Sequence, residues 1–104
     1  DFACLQGEYE DSTVIGGYTS DLLSDVMANA EEGSVLITIQ AHKNTVAVPT
    51  LVGIPVIIIC NNRPALEDMV DAARGEGIAI FQTSENQFQT SCLIAQHLSG
   101  CPAR

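Results

Sequence analysis

Residues 55–60 have the sequence PVIIIC, which is apolar at every position. A strand with one face in water alternates apolar and polar residues, so an uninterrupted apolar run predicts a strand that is buried on both faces. Strands of this kind lie in the middle of parallel sheets that carry helices on both sides. We therefore expect this run to be the central strand of an α/β sheet.

Outward from this run, strand patterns alternate with helix patterns in both directions. Short apolar runs predict further strands at residues 2–5, 13–15, 35–39 and 78–81. Helical spacing of apolar residues predicts helices at residues 21–30, from residue 44 to a stop at Gly53, at residues 65–74, and from residue 84 to about residue 98. This order predicts one α/β domain over residues 1–104, with three layers: a mainly parallel sheet of about 4–5 strands and helices on both of its faces.

Local signals indicate where these elements end and which faces they bury. Gly16-Gly17 is expected to stop the second strand, Ser20 to cap the first helix, and Pro49 to leave the second helix short or kinked. Ser84 and Gln87 have the spacing of a capping box for the last helix. Helical spacing predicts one face each for Leu22, Leu23, Val26, Met27 and Ala30 in the first helix, Leu66, Met69, Val70 and Ala73 in the third, and Phe88, Cys92, Ala95 and Ser99 in the last. In the second helix Val46, Ala47, Leu51 and Val52 are expected to face the sheet.

Composition excludes several classes of protein. The chain has 104 residues, 46% of them apolar, and 13 acidic against 4 basic side chains, for a net charge of −9. Such an apolar fraction excludes a disordered acidic tail. The basic residues are too scattered for a nucleic-acid site, and charges, prolines and amides interrupt every apolar stretch before it could span a membrane. We therefore expect a protein that binds neither nucleic acid nor membrane.

The cysteine pattern argues against a metal site. Cys4, Cys60, Cys92 and Cys101 include no C-x-x-C pair, so a structural zinc is not expected, and no other metal or cofactor is predicted. Cys60 ends the central apolar run and Cys92 follows Phe88 at helical spacing, so both are expected to be small core residues. Free buried thiols are typical of a reducing compartment, and the cytoplasm is the expected location.

A candidate binding site follows from the topology. Ligands of open α/β sheets bind beyond the carboxyl ends of the strands, where loops lead into helices. In this site Tyr18 would stack on a ring, Gln40, His42 and Asn44 would supply donors and acceptors, and Lys43 or Arg63 would supply positive charge. The complete set of predicted ligand-binding residues is Gly16, Gly17, Tyr18, Gln40, His42, Lys43, Asn44, Asn61 and Arg63.

Each of these residues also has a structural interpretation. Gly16-Gly17 could admit an anion to a helix N-terminus, but two glycines are more often a tight turn and Asp21 would repel the anion. Asn44 is expected to be an N-cap first, and the polar side chains could simply hydrogen-bond one another. The spacing of Asp21 and Asp25 is that of a solvated helix surface rather than a metal site. His42 has no nucleophile or orienting group at a recognised spacing, so no catalytic residue and no enzyme activity are predicted.

Two stretches resemble a known family. Residues 14–28 (VIGGYTSDLLSDVMA) and 37–48 (ITIQAHKNTVAV) are similar to the DRTGG domain, and the resemblance extends over residues 5–98. Asp11 and Gly16-Gly17 match parts of the motif that names the family, whereas the motif arginine is absent. The helix that precedes the first strand in this family is absent from this chain, so one sheet face is expected to be less covered.

The resemblance implies a regulatory domain rather than an enzyme. Members of the family are small stand-alone proteins or accompany CBS domains in regulated pyrophosphatases, they share the fold of the N-terminal domain of HPr kinase, and they often form dimers. The resemblance therefore implies a homodimeric regulatory domain that senses a small polar metabolite, with an adenine nucleotide as the leading candidate because of the CBS association. The alternative is an interaction module whose apolar face docks a partner domain or protein and which has no small-molecule ligand.

Overall fold

The computed structural model describes residues 3–7 and 14–98. Within these residues five strands and four helices follow one another in this order: β1 (Ala3–Gln6), β2 (Gly16–Thr19), α1 (Leu23–Asn29), β3 (Ser34–Thr38), α2 (Asn44–Val52), β4 (Val56–Ile59), α3 (Glu67–Glu76), β5 (Ala79–Gln82) and α4 (Gln87–His97). None of the described helices is long and apolar enough to cross a bilayer. The predictions that concern Phe2, Asp11, Thr13, Ser99 and Cys101 lie outside the described residues.

The strands form one sheet in the order β1-β5-β4-β3-β2. Strands β2 to β5 are parallel to their neighbours, and β1 pairs with β5 in the antiparallel sense. The predicted central strand is confirmed, because β4 lies in the middle of the five and both Ile57 and Ile58 are buried although they point to opposite faces. The fold is therefore the expected three-layer α/β fold with a mainly parallel sheet.

The two faces of the sheet are covered unequally. On one face Leu36, Ile57, Ile59 and Ile80 form a core with residues of α1, α2 and α3, such as Met69. On the other face a smaller core forms, in which Ile94 of α4 packs against Val35, Ile37, Ile58 and Cys60. We call these the three-helix face and the α4 face.

Strand β2 begins later than predicted. The expected strand at residues 13–15 ends where the observed strand begins, and Gly16-Gly17 lies inside β2. In the parallel pairing with β3, Gly16 stands opposite Ser34 and Thr19 opposite Ile37. Backbone pairing of all four residues of β2 with β3 outweighs the weak strand propensity of the two glycines.

Helix α4 also begins later than predicted. Its capping box is formed by Asn86 and Gln89 rather than by Ser84 and Gln87: Asn86 Oδ1 accepts from Gln89 N at 2.8 Å, and Gln89 Oε1 accepts from Asn86 N at 3.1 Å. The reason is tertiary, because the Glu85 carbonyl accepts from Asn61 N at 2.9 Å and thereby holds this segment in the loop.

Several predicted helix faces are wrong. In α4, Phe88 is 77% exposed and Cys92 and Ala95 are exposed, whereas Thr90 is buried and Ile94 packs on the sheet. The exposed residues also include Met27 of α1, Ala47 and Leu51 of α2, and the N-caps of α1 and α3, which are Leu22 and Leu66. Short helices with apolar residues all round give little periodic contrast, so contacts with the sheet decide which side is buried. Of the two cysteines expected in the core, only Cys60 is there.

The predicted ends of the middle helices are close to those observed. Helix α2 keeps Pro49 in its interior and is only nine residues long, and it ends at Gly53, whose φ of 91° suits glycine. Helix α3 includes Gly75 and ends at Gly77, also left-handed. At α1, Ser20 is not the N-cap, which is Leu22, although the Ser20 hydroxyl accepts from Leu22 N at 3.1 Å.

Candidate functional site

The carboxyl ends of the four parallel strands β2, β3, β4 and β5 lie at one edge of the sheet. The segments that follow them are residues 20–22, 39–43, 60–66 and 83–86, which we call the carboxyl rim. Neighbouring segments are joined directly, since Cys60 N donates to the Thr38 carbonyl and Thr83 N to the Ile59 carbonyl, both at 2.9 Å. Side chains from different loops can therefore act together here.

Asp21 is the hub of the carboxyl rim. Its Oδ1 accepts from Thr38 Oγ1 at 3.0 Å, from Ile39 N at 2.9 Å and from Gln87 Nε2 at 3.0 Å. A single carboxylate oxygen thus joins the loop after β2, the end of β3 and the first turn of α4. The sequence pattern predicts Asp21 only as a charge that repels anions. It does not predict that Asp21 joins these three segments through hydrogen bonds.

Gln40 and His42 hydrogen-bond to each other, as the structural interpretation of these side chains expects. Gln40 Nε2 donates to the Asp21 carbonyl at 3.2 Å, and Gln40 Oε1 lies 2.9 Å from His42 Nε2. An amide oxygen can only accept, so the His42 proton of this bond is on Nε2. Gln40 is also fixed by its backbone N–H, which donates to Thr38 Oγ1 at 3.1 Å.

Lys43 and Asn44 lie at the start of α2, and both are exposed. The N-cap is Lys43, so the prediction that Asn44 is an N-cap is wrong. The helical turn begins one residue earlier than expected because Thr45 N donates to the His42 carbonyl at 2.8 Å. The first turn of α2 has no acidic residue, and the helix dipole adds to the positive potential of Lys43.

Asn61 and Arg63 lie in the loop after β4. Asn61 and Asn62 are left-handed, with φ of 60° and 55°, and Asn62 N donates to the Thr83 carbonyl at 2.8 Å. The Arg63 carbonyl accepts from Gln82 Nε2 at 2.7 Å, while the Arg63 side chain is exposed. This loop has a fixed backbone and presents exposed amide and guanidinium groups to solvent.

Gly16, Gly17 and Tyr18 do not lie at the carboxyl rim. They are the first three residues of β2, and Gly16 is at the opposite end of the strand. The Tyr18 hydroxyl donates to Asp25 Oδ2 of α1 at 2.8 Å. This bond raises the pKa of Tyr18 and lowers that of Asp25, because it favours the neutral phenol and the charged carboxylate. The phenol is engaged with α1 rather than with the rim loops.

Helix α4 is fastened to the carboxyl rim by polar contacts in its first half. Besides the Asp21–Gln87 bond, Ser91 Oγ lies 2.7 Å from Thr19 Oγ1, and the Cys60 thiol donates to Thr90 Oγ1 at 3.3 Å. Burial raises the pKa of Cys60, and the negative charge of Asp21 raises it further. Cys60 thus remains a neutral thiol that ties β4 to α4.

Beneath the second half of α4 lies an apolar groove of about 280 Å³. We call it the α4 groove, and it is lined by Val14, Val35, Val56, Ile58, Phe81, Ile94, His97 and Leu98. A second groove of about 520 Å³ runs between α2 and α3 and has Lys43 among its lining residues.

Among the described residues no group of three or more His, Cys, Asp or Glu side chains could hold a metal ion.

Comparison with solved structures gives a regulatory region whose fold resembles this one. No protein-family model matches the chain, and neither does any curated protein. The structure of the CBS and DRTGG domains of the regulatory region of Clostridium perfringens pyrophosphatase, complexed with the activator diadenosine tetraphosphate, superposes with a TM-score of 0.67 at 14% sequence identity. The match covers 85% of this chain and 39% of that one, so this chain spans less than half of the neighbour's length. At this identity the likeness shows a related fold.

Proposed function

We propose that this domain is a non-catalytic regulatory domain that binds a small polar metabolite, in the first place an adenine nucleotide, at the carboxyl rim. The observation that carries the proposal is the network of Asp21, Gln40 and His42, which joins three segments at the edge where α/β sheets bind ligands. Such a network orders polar groups before a ligand arrives, which lowers the entropy cost of binding.

The distribution of charge supports an anionic ligand at this edge. The described residues include three basic side chains, and two of them, Lys43 and Arg63, belong to the carboxyl rim. The third, Arg74, pairs with Asp71 near the other end of α3. Asp21 and Glu85 of the carboxyl rim offset these two cations, so in a chain with a net charge of −9 the rim repels a phosphate less than the acidic remainder of the chain does.

Two further observations support a regulatory, nucleotide-binding role. The solved structure with the related fold is a regulatory region in complex with an adenine-containing activator, which is why an adenine nucleotide is the first probe. The sequence resemblance to DRTGG domains has the same implication, and we propose membership in that family.

The surroundings of His42 support the absence of catalysis. Its Nε2 bonds to the Gln40 amide, which neither supplies nor removes a proton, rather than to a hydroxyl or a carboxylate. A general base needs an orienting partner and a nucleophile within reach. The contact that His42 makes is typical of a structural or ligand-binding histidine.

Thermal shift measurements with adenosine 5′-monophosphate test the proposal. A ligand at about 100 times its Kd stabilises by about 2.7 kcal/mol, which raises the Tm of a domain of this size by roughly 10 °C or more. Lys43→Ala and Arg63→Gln should reduce this shift and leave the Tm of the unliganded protein unchanged. The matched control is Arg74→Gln, which removes the same charge far from the carboxyl rim. No shift with mono-, di- or triphosphates of adenosine would contradict the proposal.

A second candidate function, protein–protein interaction, is favoured by the α4 groove. Its lining is apolar apart from His97, and apolar surface of this kind is typical of contact with another protein. We propose that two copies of the chain associate with two-fold symmetry through this face. Light scattering should show a dimer at micromolar concentration, and an 11.0 kDa species at every concentration would point to a different partner.

A further inference from the structure

The groove between α2 and α3, which we call the α2–α3 groove, has an apolar wall. On the α2 side it is lined by Ala47, Thr50 and Leu51, which are all exposed. The Thr50 hydroxyl donates to the Val46 carbonyl of the same helix at 3.0 Å, so its proton is not directed into the groove. Leu51 is 74% exposed. A single exposed leucine is ordinary, but one that lines a groove with other apolar groups belongs to a patch of the kind that contacts proteins.

The opposite wall of the α2–α3 groove is acidic. Asp71 and Glu76 of α3 line it, and the same helix has Glu67 and Asp68 exposed in its first turn. Arg74 is the one basic residue of α3, and its guanidinium pairs with Asp71 at 3.0 Å. Helix α3 therefore has four acidic side chains against one basic side chain, and the wall that it forms carries a net negative charge.

Small residues give the α2–α3 groove room for a backbone. Ala72 and Gly75 lie three residues apart on α3 and so share one side of that helix, and Ala47 lines the α2 side. A Cβ atom at Gly75 would meet no neighbouring element within 4 Å. Helices pack at axis separations of about 8–10 Å, and the shortest separations require small side chains at the contact. The groove therefore suits a third helix that lies between α2 and α3.

From these features we propose that the α2–α3 groove binds an amphipathic helix of another protein. The apolar face of that helix lies against Ala47 and Leu51, and basic residues beside this face pair with Asp71 and Glu76. Amphipathic helices commonly bind in grooves of this kind through apolar residues at positions i, i+3, i+4 and i+7. The proposal does not depend on the nucleotide site at the carboxyl rim.

Charge favours a different protein over a second copy of this chain. The chain has 13 acidic against 4 basic side chains. Within the described helices Arg74 is the only lysine or arginine, and it already pairs with Asp71. A helix of a second copy would thus bring acidic or neutral side chains to Asp71 and Glu76, and like charges oppose association.

The two ends of the α2–α3 groove determine the direction of the bound helix. Lys43 lines the groove at the N-cap of α2, and Glu76 lines it at the last residue of α3. Each of these helices follows a strand of the parallel part of the sheet, so both begin at the carboxyl rim and have their positive dipole ends there. A helix that runs antiparallel to α2 and α3 brings its negative C-terminal end to Lys43 and its positive N-terminal end to Glu76. We therefore expect this direction.

Fluorescence anisotropy with two labelled synthetic peptides tests the proposal on the intact chain. Both peptides have leucine at positions i, i+3, i+4 and i+7 of a helix, and beside the leucines the first has lysine where the second has glutamate. The lysine peptide should bind, and the glutamate peptide should bind at least about tenfold more weakly because the acidic wall repels it. Equal affinity for the two peptides, or no binding of the lysine peptide at millimolar concentration, would overturn the proposal.

Two double variants separate binding in the groove from the general attraction of a basic peptide to an acidic chain. Asp71→Asn with Glu76→Gln removes two charges from the groove and should weaken binding of the lysine peptide by roughly tenfold. The matched control, Glu31→Gln with Glu85→Gln, removes the same charge at positions that do not line the groove and should leave the affinity nearly unchanged. An equal loss in both would show attraction by net charge alone and would overturn the proposal.

Leu51→Ser tests the apolar wall. The Leu51 side chain is exposed, so the variant should keep the Tm of the wild-type chain while its affinity for the lysine peptide falls by roughly tenfold. An unchanged affinity would overturn the proposal. Light scattering of the chain without peptide tests for the other occupant, since a dimer that Leu51→Ser dissociates would assign the groove to a second copy and overturn the choice of partner.

Discussion

The three-helix face and the α4 face of the sheet are built differently although they share the same strands. On the three-helix face, α1, α2 and α3 cover buried branched residues such as Ile57. On the α4 face a single helix packs through Ile94, and an apolar groove remains beneath its second half. The three-helix face therefore supplies most of the burial, whereas the packing of the α4 face depends on a few polar contacts at the carboxyl rim.

The position of these contacts links the two proposed functions. The bonds from α4 to Asp21, Thr19 and Cys60 all involve the first half of the helix, at the carboxyl rim, and the α4 groove lies at the other end. A ligand at the rim would therefore act on the same contacts that hold the helix over the groove. A helix with few apolar contacts is the element most easily moved.

The largest expected effect is the loss of the fold when a charge enters the three-helix face. Ile57→Asp buries a carboxylate with no partner, at a cost of several kcal/mol, which is comparable with the whole stability of a domain of this size. Ile58→Asp should cost less, since Ile58 lines the α4 groove and its carboxylate can reach solvent. Urea denaturation followed by circular dichroism checks this. Equal losses would mean that the two faces are equally closed.

A smaller effect is expected on α4 itself. Ile94→Ala removes the apolar contact by which α4 packs on the sheet and should lower the free energy of unfolding by about 2 kcal/mol. Phe88→Ala is the matched control on the exposed side of the same helix and should change stability by less than about 0.5 kcal/mol. The difference in urea midpoint between the two variants measures how much the packing of Ile94 on the sheet stabilises the fold. A larger loss for Phe88→Ala would show that α4 buries the other stripe, as its sequence alone suggested.

The smallest effect is a dependence of stability on alkaline pH through Cys60. Its pKa is raised in the folded chain, so the unfolded chain loses the thiol proton first as the pH rises. The contribution to stability is complete below the ordinary thiol pKa of about 8.5 and decreases above it. Unfolding free energies at pH 7.5 and 9.5 should show this decrease, and Cys60→Ala should reduce it. An identical decrease in the variant would place its origin elsewhere on the chain.

Sequence patterns predicted the sheet better than the helices. Four consecutive branched residues can be buried only in a strand covered on both sides, so the central position of β4 followed from the sequence. The faces of α2 and α4 could not be predicted, because apolar residues occur all round these short helices and tertiary contacts select the buried side. In α1 the predicted face is buried at its middle, Val26, and only its edges, Leu22 and Met27, are exposed. The capping box of α4 moved by two residues for the same reason, since a bond from Asn61 N holds Glu85 in the loop.

The candidate site could likewise be predicted from the sequence only in part. Gln40 and His42 lie in one loop after a recognisable strand, and the hydrogen bond between their side chains follows from their spacing of two residues. Asp21 was missed because its partners Thr38, Ile39 and Gln87 are distant in sequence. Tyr18 was misplaced because the strand that contains it was predicted to end too early. A carboxylate two residues after a strand is the signal that could have identified Asp21.

Titration of the nitrogen-15-labelled chain with adenosine 5′-monophosphate, followed by amide chemical shifts, tests whether the carboxyl rim binds a ligand. We expect shifts to concentrate in residues 20–22, 39–44 and 61–63 and in the first turn of α4, with little change at the opposite edge of the sheet around Ser34. Shifts confined to the α4 groove, or no shifts at millimolar nucleotide, would contradict a ligand site at the carboxyl rim.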